Sequence, residues 1–366
     1  MRHSLKYLII VSLFMVFCFT VVSAQDNSVT ITLAAYTVPR EAYAQIIPLF
    51  QAYWLEETGQ EVTFQESYLG SGAQSRAVAG GFEADLVALS LEGHVTNLVD
   101  AGLITHDWKA NPYGGMISTS VVAFVVRSGN PRNIADWDDL AQPGVEVITP
   151  DPATSGGAQW NIMAAYGAAI RGYVEGYTAD GAGARQFLFD LFTNVSVMDA
   201  GARESFLTFE SGVGDVAITY EDEYYAAIIA GGECDIVYPT STILIENPLA
   251  LVDVYADAHG TREVTEAFIE FLYRPESQAI FAASGFRPPV LKNAPTETAE
   301  VTPEAETTPA AEGYASFWPE GLDEELFPPL VDLFTIDDFG GWTEVVPTYF
   351  GENGIYTQVI AEVQGQ

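Results

Sequence analysis

Three short turns of small residues contain the residues of this 366-residue sequence best suited to binding chemistry. Each turn follows an apolar stretch typical of a strand and opens a stretch typical of a helix: GSGAQ at 70–74, TSGGA at 154–158 and DAGAR at 199–203. The first N–H groups of a helix have no intrahelical partner, and the helix dipole adds partial positive charge there. Because minimal side chains let an anion approach the backbone closely, the turns predict an anion site built from main-chain donors.

One such turn is weak evidence, because Ser or Gly before a helix is most often an ordinary N-cap. Three of them in one chain of alternating strands and helices are more informative, since ligands of such folds collect at the carboxyl ends of strands. We therefore expect the three turns to converge on one point.

Apolar strand patterns alternate with amphipathic helix patterns along most of the chain, which favours an α/β architecture. The helix predicted over 40–57 places Tyr43, Phe50 and Trp54 on one face, with Pro48 as a kink. Strands are predicted at 29–35, 62–67, 86–90, 121–126, 145–149, 195–198, 216–220 and 236–238.

The composition supports large cores and excludes nucleic acid as a partner. Hydrophobic residues make up 48% of the chain and aromatic residues 12%, whereas the formal net charge is −36. A chain this acidic has no basic patch for nucleic acid and is repelled by anionic membranes. An anionic ligand remains possible, because salt screens distant charges within about 10 Å and a buried site responds to its own dipoles.

Two segments are predicted to lie outside the folded body. Residues 1–24 resemble a cleaved signal peptide, with Arg2 and Lys6 before an apolar run and small residues up to Ala24. Its loss leaves Cys234 as the one thiol, which excludes an intramolecular disulfide and favours a packing role. The acidic, Pro- and Thr-rich stretch 293–313 has too few apolar residues to order itself, so we interpret it as a disordered insert.

The three turns lie within longer stretches that resemble the sulfate- and thiosulfate-binding proteins of bacterial ABC importers. These stretches are ESYLGSGAQSRAVAGGFEADLVAL (66–89), IADWDDLAQPGVEVITPDPATSGGAQWN (134–161), MDAGARESFLTFESGVGDVAITYEDE (198–223), FLYRPESQAIFAASGFRP (271–288) and LFTIDDFGGW (333–342). They are distributed along the chain that follows the signal peptide, on both sides of the acidic insert.

The resemblance implies an α/β periplasmic-binding-protein type II fold, with two lobes joined by a hinge and a ligand cleft between them. Lobe I would comprise residues 27–117 and 246–366, and lobe II residues 118–245, with chain crossings near 118–119 and 243–247. A monomer without cofactor would capture sulfate or thiosulfate outside the membrane and deliver it to the membrane permease of an ABC importer. The positions that match the family's anion-binding residues are Ser71, Ser155, Gly156, Gly157, Ala202 and Tyr220.

The match departs from the sulfate binders at two places near the expected site. Tyr220 stands where they have Trp, and Thr37-Val38 stands where they have Asp-Pro. A site made only of donors suits a fully deprotonated dianion and penalises protonated phosphate, whose O–H would be left unpaired. Thiosulfate is also a fully deprotonated dianion, so the choice between the two sulfur oxyanions stays open.

Two other functions have candidate residues in the sequence. Tandem Tyr224-Tyr225 beside the acids at 221–223 would suit a ferric-ion carrier, but tandem Tyr on a helix more often packs than binds metal. Ser71 with a histidine base such as His94 would suit a hydrolase, but its surroundings do not form a Gly-x-Ser-x-Gly elbow. We expect a binding protein and not an enzyme.

Overall fold

The structure of the protein, a computed structural model, describes residues 28–292 and 327–365. The predicted signal peptide (1–24) and acidic insert (293–313) both lie outside the described residues. Among the residues described, none of the helices combines the length and apolar character that crossing a membrane requires.

Strands and helices alternate over most of the described chain, as the sequence predicts. The strands are β1 (Ser28–Tyr36), β2 (Glu61–Leu69), β3 (Leu86–Ala88), β4 (Met116–Arg127), β5 (Val147–Ile148), β6 (Val195–Val197), β7 (Val216–Tyr220), β8 (Cys234–Val237), β9 (Ser241–Leu251) and β10 (Asp332–Phe334). The helices are α1 (Arg40–Thr58), α2 (Ser71–Ala79), α3 (Glu92–Asp100), α4 (Trp137–Leu140), α5 (Gly156–Ile170), α6 (Gly181–Thr193), α7 (Ala202–Glu210), α8 (Glu221–Ile229), α9 (Asp253–His259), α10 (Arg262–Leu272), α11 (Pro275–Ala283), α12 (Gly341–Val345) and α13 (Ile355–Gln364).

Helix α1 shows how the apolar pattern becomes packing. Its buried face contains the predicted Tyr43, Phe50 and Trp54, and Pro48 lies inside the helix. Phe50 packs against Phe268 of α10 with 4.9 Å between ring centroids. This aromatic layer packs in one core with apolar residues of β1 and β2.

The sheet contains two sets of parallel strands separated by antiparallel strands. Its order is β2-β1-β3-β9-β4-β7-β5-β6, with β10 beside β9 and β8 beside β4. Strands β1, β2 and β3 are parallel, as are β5, β6 and β7. The pairs β3/β9, β9/β4 and β4/β7 are antiparallel, so the two parallel sets run in opposite directions.

The long strands β4 and β9 connect the two sets. The first half of β4 pairs with β9 and its second half pairs with β7, whereas the end of β9 pairs with β3. Given these registers, the carboxyl ends of the first parallel set face those of the second. Short turns that leave those ends can therefore meet in the middle of the molecule.

The sequence did not predict β9, which is buried along its whole length. Glu246 and Asn247 interrupt its apolar pattern. In the fold, Glu246 forms an ion pair with Lys292 at 2.8 Å and Asn247 donates to Ser118 Oγ at 3.1 Å. These partners come from distant parts of the chain, so local sequence does not reveal that the polar residues fit inside a strand.

A candidate anion site between facing strand ends

All three small-residue turns open helices at the predicted residues. Helix α2 begins at Ser71, α5 at Gly156 and α7 at Ala202. At α5 the Ser155 hydroxyl accepts the N–H of Ala158 as an N-cap, whereas Gly70 and Gly201 precede the other two helices without a side-chain cap. Because the side chains at these helix starts are small, they leave room for an anion to approach the main-chain N–H groups.

The turns touch one another across the gap between the two strand sets. Gly72 donates its main-chain N–H to Thr154 O at 3.2 Å, and the Thr154 hydroxyl donates to Ala200 O at 2.7 Å. A Cβ on Gly70 would lie 2.9 Å from both of those carbonyl oxygens. The first turn thus packs against the second and third too closely for a side chain at Gly70.

The Ser-Gly-Gly run lies at the centre of this contact. A Cβ on Gly156 would lie 2.2 Å from Ser90 Oγ. A Cβ on Gly157 would lie 3.2 Å from Ala202 Cβ and 3.4 Å from Tyr220 Cε1. The start of α5 is therefore in contact with the start of α7 and with the end of β7, where Tyr220 lies.

The six residues predicted for the site are brought together and shielded from solvent. Ser71 and Ser155 are each 2% exposed, Ala202 is 7% exposed and Tyr220 is 1% exposed. The Tyr220 hydroxyl has no hydrogen-bond partner within the described chain. Burial raises the pKa of Tyr220 well above its usual range, so its O–H stays protonated and can donate.

The sequence interpretation missed Ser90, which belongs to the same cluster. Ser90 is 1% exposed, lies just beyond β3, and has a hydroxyl without a partner among residues 28–292 and 327–365. Its hydroxyl is close enough to the Tyr220 hydroxyl to offset part of the rise in the pKa of Tyr220. The two hydroxyls are nevertheless not placed to hydrogen-bond to each other. The only sequence signal was a Ser at the end of an apolar strand, which is too common to single out.

The Ser71 hydroxyl is occupied by protein groups. It accepts the Ser90 N–H at 3.0 Å and lies 2.8 Å from His94 Nδ1. Ser71 can therefore contribute its main chain to an anion while its side chain ties α2 to the end of β3. Burial, with Arg76 nearby, lowers the pKa of His94 to about 4, which makes the imidazole a weak general base for the hydrolase alternative.

Acidic groups surround the site on the α8 side. Burial raises the pKa of Asp222 to about 7, and its carboxylate accepts from Ser120 Oγ at 2.6 Å. Burial raises the pKa of Glu223 to about 8, although Arg203 lies 2.9 Å away. Arg203 also pairs with Glu41 at 3.1 Å, so its guanidinium is shared between two acids.

The acids beside the tandem tyrosines are used within the protein. Glu221 forms a two-pronged ion pair with Arg287, at 2.6 and 2.8 Å, and accepts from Tyr238 at 2.6 Å. The rings of Tyr224 and Tyr225 pack edge to face with centroids 5.3 Å apart. In the described part of the chain, no group of three or more His, Cys, Asp or Glu is placed to hold a metal ion. The ferric-ion alternative gains no support.

A separate cavity of about 340 Å³ is lined partly by lysines, and none of its lining residues belongs to the three turns. Its lining includes Lys109 and Lys292, which pair with Glu92 and Glu246. An anion there would compete with two carboxylates for the ammonium groups. The donors of the three turns are therefore the better candidates for binding an anion.

Comparison with known proteins supplies the family. A family model described as bacterial extracellular solute-binding protein matches residues 31–287. A sulfate-binding protein of Synechococcus elongatus is 43% identical over 92% of this chain and 88% of its own, and a thiosulfate-binding protein of Pseudomonas aeruginosa is 33% identical over 89% and 90%. The solved structure of a sulfate-binding protein from Mycobacterium tuberculosis H37Rv has a TM-score of 0.71 at 39% identity, covering 87% of this chain and 98% of that one. These relatives are named as binding proteins, which are not enzymes. The chain belongs to the family of bacterial extracellular solute-binding proteins.

Proposed function

We propose that this protein captures sulfate, or its analogue thiosulfate, outside the cell membrane and delivers it to the permease of an ABC importer. The observation that supports this most directly is the meeting of three helix starts at one buried point beside the unpartnered Tyr220 hydroxyl. The names of the curated relatives support the same ligand class.

The chemistry of the cluster suits a dianion that has no proton to give. Main-chain N–H groups and hydroxyls donate, and the helix dipoles add positive potential. About seven such donors at roughly 1–1.5 kcal/mol each reach the −8 kcal/mol of micromolar binding without a counter-cation. Burial raises the pKa of Asp222 to about 7 and that of Glu223 to about 8, so these carboxyls carry less negative charge near neutral pH than exposed acids would, which lowers the repulsion that a dianion would meet.

We further propose that binding closes a hinge between two lobes, comprising residues 27–117 with 246–366 and residues 118–245. Ser118 pairs with Asn247 and Thr119 with Glu246, so both proposed crossings lie side by side on β4 and β9. Two adjacent strands can bend together while each parallel strand set stays rigid. Closure excludes water and strengthens the remaining dipole interactions.

The proposal includes export and a permease partner. Residues 1–24 would direct secretion and be removed, and the mature protein would act as a monomer. Membership of an extracellular family supports the location. The acidic surface argues against nucleic acid as a partner.

Titration calorimetry of desalted protein tests the ligand directly. Sulfate, thiosulfate, phosphate, molybdate and ferric citrate are titrated in turn at one pH and ionic strength. We expect binding at micromolar Kd or tighter for at least one sulfur oxyanion and much weaker binding of phosphate. Tight binding of ferric citrate or phosphate with no response to either sulfur oxyanion would refute the proposal.

A further inference from the structure

We infer that the Ser90 hydroxyl is a direct hydrogen-bond donor to the bound oxyanion and, with Tyr220, determines which oxyanion the site prefers. This role rests on the proposed function of the site. It adds a side-chain donor that neither the turn motifs nor the family resemblance identified.

The main chain of Ser90 is fixed from two sides. Its N–H donates to Ser71 Oγ at 3.0 Å, and its carbonyl accepts the indole N–H of Trp160 at 2.6 Å. Ser71 opens α2 and Trp160 lies in α5, so Ser90 is held between two of the helices that form the site. Only its side-chain torsion remains free to direct the hydroxyl.

The Ser90 hydroxyl lies against the first residue of α5. A Cβ on Gly156 would come within 2.2 Å of Ser90 Oγ and 2.8 Å of Leu91 Cγ. An oxygen in that position is beside the unpaired N–H groups of the helix start, where an anion is stabilised. It also neighbours the Tyr220 hydroxyl and offsets part of the rise that burial causes in the pKa of Tyr220.

The hydroxyl is buried and has no partner among the described residues. A buried polar group without a hydrogen bond costs free energy. Alanine at this position would have avoided that cost in the unliganded protein. A ligand oxygen placed between Ser90, Tyr220 and the start of α5 would give both hydroxyls the acceptor that they lack.

Preference follows from what the two hydroxyls can do. A hydrogen-bond donor directed at one vertex of a tetrahedral anion binds an oxygen there more strongly than the larger and softer terminal sulfur of thiosulfate. Removal of the Ser90 donor should therefore weaken sulfate more than thiosulfate. The ratio of the two dissociation constants measures this effect independently of overall affinity.

The test compares Ser90→Ala with the wild type and with Ser277→Ala. Ser277 is a matched control, because its hydroxyl is also buried and without a partner in the described chain but belongs to α11, away from the three turns. Sulfate and thiosulfate are titrated calorimetrically into each protein, and denaturant unfolding is measured without ligand. We expect Ser90→Ala to weaken sulfate binding by about 10- to 100-fold with unfolding unchanged, and Ser277→Ala to bind as the wild type does.

The outcomes separate this role from the function on which it rests. A wild type that binds sulfate while Ser90→Ala binds it within twofold would overturn the role of Ser90 alone. So would an equal loss of sulfate and thiosulfate affinity, which would leave the preference unchanged, or a less stable unliganded protein, which would indicate a structural role. A wild type that binds neither sulfur oxyanion would overturn the proposed function and this inference with it.

Discussion

Replacing Tyr220 by Phe removes one oxygen from the candidate site and leaves the ring in place. The hydroxyl is buried and has no partner within residues 28–292 and 327–365, so the unliganded protein loses no hydrogen bond. A hydrogen bond to a charged group contributes about 1.5–3 kcal/mol. If the phenol donates to the anion, the Kd for sulfate should therefore rise by roughly 10- to 100-fold, while the free energy of unfolding stays equal or increases slightly.

Tyr43→Phe is the control for this experiment. Tyr43 is fully buried, its hydroxyl also has no partner in the described residues, and its ring packs edge to face with Phe281 at 5.8 Å. Calorimetry with sulfate and denaturant unfolding without ligand are run on both variants and the wild type. Equal affinity of Tyr220→Phe and wild type would show that the hydroxyl does not reach the ligand. The position would then be a packing position.

Three further perturbations test the geometry of the site. Gly156→Ala should lower the free energy of unfolding by about 1–3 kcal/mol, because its Cβ would lie 2.2 Å from Ser90 Oγ and 2.8 Å from Leu91 Cγ. Denaturant unfolding equal to wild type would contradict the packing described. In Gly157→Ala the added Cβ would lie 3.2–3.4 Å from its nearest atoms, so the variant should fold. It should bind sulfate at least about tenfold more weakly by calorimetry, and unchanged binding would place the anion elsewhere. The pKa values of Asp222 and Glu223, about 7 and about 8, are raised by burial, so their stabilising protonated forms are lost as pH rises. The free energy of unfolding should fall by about 2 kcal/mol between pH 6.5 and 8, and Asp222→Asn should reduce that fall by about a third; an equally steep fall in the variant would show that other groups titrate.

The helix starts of the site were predictable because their signals are local. Ser71, Gly156 and Ala202 each follow a strand pattern, and each lies in a run of small residues that opens a helix pattern. The α/β rule that ligands lie at the carboxyl ends of strands then predicted that the turns would meet. The contact of Gly72 with Thr154 shows this convergence for the first and second turns.

What sequence reasoning missed depends on partners that are distant in the chain. Ser90 became a candidate only when the fold placed its hydroxyl against Gly156 and left it without a partner. His94 entered the sequence analysis only as a possible base for a hydrolase, whereas the fold places its Nδ1 2.8 Å from the Ser71 hydroxyl, where it helps to hold that side chain. The strand β9 was missed for the same reason, since the partners of Glu246 and Asn247 lie on other elements.

A crystal structure with selenate in place of sulfate tests the central claim most directly, because anomalous scattering from selenium locates the anion without reference to the protein. We predict one strong peak between the two strand sets, with anion oxygens about 3 Å from the main-chain nitrogens of Ser71, Gly156 and Ala202. A peak in the cavity lined by Lys109 and Lys292, with the three helix starts unoccupied, would contradict the account.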